Sequence, residues 1–188
     1  MNPLDGLKIA ILLTDGFEQV EMVKPREALQ SQGAQTFLIS NKSTVQGWNH
    51  AEKADSFNVD VLLENAKPNE FDALLLPGGV MNPDALRLLP KAVEFTKKIN
   101  EQQKTIAAIC HGPWLLINAE VAKGKRLTSW PSVKIDLINA GGIWIDQAVV
   151  KDGNLITSRK PGDISEFNKA IIEQLSDYKK NIDNKVDQ

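Results

Sequence analysis

Three apolar runs punctuate the chain: LKIAILL at residues 7 to 13, FDALLLPGG at 71 to 79 and TIAAIC at 105 to 110. Runs of this length, bounded by turn residues, predict strands buried on both faces, as in a parallel sheet. Helical spacing follows each of them. EQVEMVKPREALQSQG predicts a helix that stops at Gly33, with Pro25 as an early kink or boundary. AQTFLIS (34–40) reads as a further strand, and the polar, turn-rich residues 41–60 as a hairpin or irregular excursion. NPDALRLLPKAVEFTKKINEQQ predicts a helix from Asn82 and Pro83 to about Gln103, interrupted at Pro90.

After TIAAIC the same grammar continues. GPWLLINAEVA predicts a helix, RLTS a short strand, PSVKIDLINAGG another helix, and WIDQAVV with NLITS a strand pair turning at Asp152-Gly153. DISEFNKAIIEQLS (163–176) predicts a closing amphipathic helix opened by an Asp cap, and the polar tail 177–188 is expected to fray. Strands alternating with helices imply an α/β three-layer sandwich around a mostly parallel sheet, with its ligand site at the carboxyl ends of the strands. TDGFE, PGGV and CHGP all fall on that edge.

Composition narrows this picture only modestly. The 188 residues suit one domain, taken as 1–188 with its core over about 7–176. A hydrophobic share of 42% and a charged share of 24% place the chain with ordinary globular proteins. A formal charge of −2 gives no basic surplus for phosphates, which disfavours nucleic acid as the primary ligand. No apolar run reaches the roughly 18 residues of a spanning helix, and the start MNPLDGLKIAILL lacks a basic leader, so a cytoplasmic location is expected.

The single cysteine, Cys110, changes the picture most. It can form no internal disulfide, which leaves a buried apolar residue or a reactive one. Strand, small residue, nucleophile, any residue, glycine and helix is the order of a nucleophile elbow, and Ala108, Ile109, Cys110, His111 and Gly112 follow it. A plain strand residue does not require Gly-Pro two positions later. The amides of a helix start would help to stabilise a thiolate at Cys110.

Glu18 and Glu21 come to the same edge, and Glu18, closer to the strand end, is the better placed to protonate or hydrogen-bond the sulfur. Gly78 and Gly79 offer an N–H to a developing oxyanion, with a second from His111. No histidine follows His111, which excludes a triad with a downstream imidazole base. His50 reads as a surface residue, and Asp84, just past the PGG turn, is a candidate to orient His111. One cysteine and two histidines without ligand spacing predict no metal, and no cofactor is expected.

AICHGPWLL, together with DGFEQVE, FDALLLPGG…NPDALR and LTSWPSVKIDLINAGG, resembles the PfpI (intracellular protease I) group of the ThiJ/PfpI superfamily over residues 7 to about 176. The resemblance implies a flavodoxin-like, class I glutamine-amidotransferase-like sandwich and a homo-oligomer, a dimer or higher. Carried over, Cys110 is the nucleophile, Glu18 the carboxyl on the sulfur, His111 the histidine after the nucleophile and Gly79 the oxyanion-hole glycine. An acidic residue near Asp84 meets that histidine from a neighbouring subunit in members described as proteases. Here the residue is Asp where some members have Glu, and its loop is one residue longer. The implied activities are peptide hydrolysis, glyoxalase-type conversion of methylglyoxal and deglycation of early adducts on proteins or nucleotides. Carbonyl chemistry is the leading expectation, with an intracellular protease or amidase next and a redox sensor or chaperone as the non-enzymatic alternative.

Overall fold

The computed structural model describes residues 2–186, with side chains as far as Asn184. The chain runs β1 (Lys8–Leu12), β2 (Phe17–Glu18), α1 (Gln19–Ser31), β3 (Gln35–Ser40), β4 (Thr44–Asn49), β5 (Glu52–Asn58), β6 (Val61–Leu62), β7 (Ala73–Leu76), α2 (Met81–Leu86) and α3 (Pro90–Glu101). It continues through β8 (Thr105–Ile109), α4 (Pro113–Asn118), β9 (Arg126–Leu127), α5 (Lys134–Asn139), β10 (Ile143–Trp144), β11 (Val149–Asp152), β12 (Leu155–Ser158) and α6 (Ile164–Val186).

Seven strands form the central sheet in the order β11-β12-β8-β7-β1-β3-β6, and every pair is parallel except β11 with β12. Alternate residues of each central strand feed opposite layers. Ile9, Ile11, Leu75 and Ile109 pack with Met22, Leu29, Phe167 and Ile171 of α1 and α6. Ala10, Leu12, Leu74, Leu76 and Ile106 pack with Phe95, Ile99, Leu115 and Leu137 of α3, α4 and α5. Burial on both faces explains why these strands are apolar beyond their first residues, and it is the expected α/β sandwich.

The chain leaves β1 for β3 on one side and returns to β7 on the other, so the order reverses at the β1–β7 pair. A crevice opens at the carboxyl ends of strands on such a reversal. The excursion at 41–60 forms the β4–β5 hairpin, which adds to β2 as a small three-stranded sheet beside that crevice.

Three boundaries differ from the sequence reading. Helix α1 runs through Pro25 instead of breaking there. The WIDQAVV segment divides: Trp144 pairs with β9 in a separate two-stranded sheet, and only Val149 onward joins β11. The tail expected to fray instead extends α6 to Val186, while residues 187–188 lie outside the described part. Tyr178 packs on the core one turn beyond Leu175, and the Lys179–Asp183 and Lys180–Asp177 pairs support the exposed side of that extension.

Candidate active site

Residue Cys110 follows β8 directly and takes φ +62°, a left-handed conformation that costs a non-glycine residue on the order of 1 to 3 kcal/mol. Strand β12 and the loop after β9 hold it there. Its N–H donates to Ser158 O at 3.0 Å, and its carbonyl accepts from Trp130 N at 2.8 Å. Gly112 begins the next turn where a Cβ would lie 2.6 Å from the Leu76 carbonyl, so the glycine predicted after the nucleophile is required by contact. The turn lifts the sulfur toward the crevice, and the N–H groups of His111 and Gly79 both point at it.

Residue Gly79 presents its N–H from a φ of +75°, and a side chain there would run into the Gly16 carbonyl and the Glu18 amide. Asn82, fully buried, braces the same turn. Its Nδ2 donates to Pro77 O at 3.0 Å and Gly78 O at 3.1 Å, while its Oδ1 accepts from Thr14 N at 2.8 Å, tying the end of β7 to the end of β1.

The carboxyl beside the sulfur belongs to Glu21, and this corrects the assignment of Glu18 to that position. Glu21 is fully buried; Oε2 accepts from Gly78 N at 2.9 Å, and the group lies against the Cys110 thiol. The Glu18 carboxylate instead accepts the His50 N–H, at 3.1 and 3.4 Å. Glu18 ends the short strand β2, whereas Glu21 sits in the first turn of α1, where side chains lean back toward the helix start. That lean carries it to the PGG turn.

Burial, above all, raises Glu21 from 4.5 to about 8, partly offset by hydrogen bonds from the thiol and Gly78 N–H. Burial and then the Glu21 charge also push the Cys110 thiol up, against the lowering by the two N–H groups. The two groups titrate as a pair. Below about pH 8 both hold their protons, so burial outweighs the help expected from the helix amides, and the resting group is a thiol beside a carboxyl that gives up its proton more readily.

The imidazole of His111 is held within its own chain. Nδ1 lies 3.3 Å from Cys110 Sγ and Nε2 3.3 Å from Ser132 Oγ, while Trp130 stacks on the ring and Trp114 meets it edge-on. Burial lowers its pKa, which favours a neutral ring. Asp84 is exposed on α2 and is not the partner of His111 within the chain; Ser132 takes that place. Neither Ser132 nor Trp130 was found from sequence, because both arrive on the loop after β9, whose approach to the elbow depends on the fold. His50 is exposed, as read from sequence, but it also lines the rim of the site.

These groups enclose a cavity of about 260 Å³ lined by Glu18, Glu21, Trp48, His50, Gly79, Met81, Cys110, His111 and Trp130 among others. Among the described residues, no cluster of three or more His, Cys, Asp or Glu could hold a metal ion, and no helix is long and apolar enough to cross a membrane. A profile of the DJ-1/PfpI family matches residues 7–174. The chain belongs to the DJ-1/PfpI family.

Relatives within the DJ-1/PfpI family are similar over almost their whole length. A deglycase of Pyrococcus abyssi is 43% identical over 169 residues, covering 90% of this chain and 99% of the relative. The deglycase PfpI of Pyrococcus furiosus is 40% identical over 169 residues, with the same shares. Among solved DJ-1/PfpI structures, DJ-1beta of Drosophila melanogaster superposes with a TM-score of 0.82 at 32% identity, covering 90% of each chain.

Proposed function

We propose that the chain is a cysteine-dependent enzyme of stress defence that acts on reactive carbonyls or their early adducts, a deglycase-type activity. The observation that carries this reading is the Cys110–Glu21 pair on the cavity floor, with two N–H groups converging on the sulfur. A carboxyl raised to about 8 is a competent base near neutral pH. As the sulfur adds to a carbonyl carbon, the S–H proton passes to ionised Glu21, the S–C bond forms, and the C=O electron pair moves to oxygen. The N–H groups of Gly79 and His111 face that developing charge. His111, neutral and anchored by Ser132, supports proton movement on the other side of the sulfur.

The names of the Pyrococcus relatives support deglycation over peptide hydrolysis. A homo-oligomer is part of the same proposal. Asp84, exposed on α2 beside exposed Val80 and Met81, suits contact with a second copy. The test is turnover by wild type, Cys110→Ala and Glu21→Gln on methylglyoxal-adducted N-acetylargininamide and on a fluorogenic peptide. Adduct turnover that is lost in both variants is expected; peptide cleavage alone, or adduct turnover retained by Cys110→Ala, would overturn the reading.

A further inference from the structure

The charge lining the cavity is one-sided. Among the described residues no lysine or arginine borders it, whereas Glu18 and Glu21 do. Glu21 is committed to the sulfur, and its Oε1 is buried with no hydrogen-bond partner among the described residues. Glu18 has no such task. It is 9% exposed, and among the described residues its two oxygens share a single donor, the His50 N–H, leaving most of their acceptor capacity open.

The surroundings of Glu18 add a second feature. Strand β2 pairs with β4 so that Glu18 lies opposite Trp48, and Trp48 and Trp130 both line the cavity. Indole faces attract cations through the ring quadrupole, and a largely buried carboxylate attracts them more strongly than an exposed one. A phosphate entering the same space would meet the carboxylate oxygens of Glu18 with no lysine or arginine among the lining residues to offset them.

We infer that the Cys110 cavity selects positively charged substrates, with Glu18 as the specificity-determining group and Trp48 and Trp130 as its aromatic walls. Resting on the deglycase reading, this assigns the preferred substrate as a carbonyl adduct carried on or beside a guanidinium or ammonium group, ahead of phosphate-bearing nucleotide adducts. It also gives Glu18 a role separate from proton transfer at the sulfur.

Charge selection is measurable without turnover. Cys110 is modified with two methanethiosulfonates of similar size, one bearing trimethylammonium and one bearing sulfonate, at low ionic strength. In each case the thiolate displaces methanesulfinate and forms a mixed disulfide. The ratio of the cationic to the anionic rate, divided by that of free cysteine, is expected to exceed about tenfold, the effect of roughly 1.4 kcal/mol from one nearby charge. Glu18→Gln keeps an acceptor for the His50 N–H and is expected to lower the ratio about tenfold. Glu173→Gln, an exposed change of equal net charge on α6, is expected to leave it unaltered.

The second arm compares kcat/KM for methylglyoxal adducts of N-acetylargininamide and of guanosine monophosphate, where wild type should favour the first and Glu18→Gln should lose about tenfold of that preference. A ratio near that of free cysteine, or an unchanged ratio in Glu18→Gln, overturns the inference whether or not adducts turn over. Charge-selective modification with no turnover of either adduct leaves the selection standing and overturns the deglycase reading instead.

Discussion

Replacing Glu21 by glutamine should stabilise the protein while disabling it, and the structure sets the size and the pH window of that gain. The folded-state value of about 8 lies above the ordinary 4.5, so between these values the folded chain holds a proton that the unfolded chain has released. Stability therefore falls as pH rises through this window. Each tenfold change in proton affinity corresponds to about 1.4 kcal/mol, so the cost approaches roughly 5 kcal/mol well above pH 8 and is small near pH 4.5. Glutamine cannot ionise, keeps an acceptor for the Gly78 N–H and does not carry that cost. Urea unfolding of wild type and Glu21→Gln at pH 5 and pH 8 measures it. The variant's advantage should widen by roughly 3 kcal/mol between the two conditions. A difference that does not change with pH would show that Glu21 is ionised in the folded protein across the range, and the argument from burial would fail.

Two further outcomes test the turn that presents Gly79. Asn82→Ala leaves Thr14 N, Pro77 O and Gly78 O without their buried partner, and chemical denaturation should show a loss of roughly 2 to 4 kcal/mol. Gly79→Ala forces a side chain into the Gly16 carbonyl at a φ of +75°, so steady-state kinetics should show kcat reduced by about a hundredfold or more as the oxyanion N–H moves.

The fold was legible because burial on both faces leaves a plain trace: IAIL, ALLL and IAAI carry no polar position that would mark a solvated face. The elbow was legible for the same kind of reason. Only a sharp turn accounts for Cys110, Gly112 and Pro113 in succession, and the φ of +62° at Cys110 is that turn. The choice between Glu18 and Glu21 went the wrong way because distance along the chain from the strand end is not distance in space once a helix begins. A usable signal was present: Glu21 shares its helical stripe with Pro25 and Leu29, spaced by four, and an acidic residue on a buried stripe calls for a partner. Ser132 and Trp130 left no such trace, since they reach His111 through tertiary packing across about twenty residues of sequence. The α6 extension was missed because a polar composition reads as a frayed end, although Tyr178 continues the apolar spacing from Leu175.

The pH dependence of kcat/KM on a methylglyoxal adduct, measured for wild type and Glu21→Gln, tests the role of the Cys110–Glu21 pair most directly. Wild-type activity should rise with pH and level off near 8, as ionised Glu21 becomes available to take the thiol proton, and the variant should lose both the activity and that rise. A wild-type profile flat from pH 6 to 9, or a variant that retains the same rise, would contradict Glu21 as the base that activates Cys110.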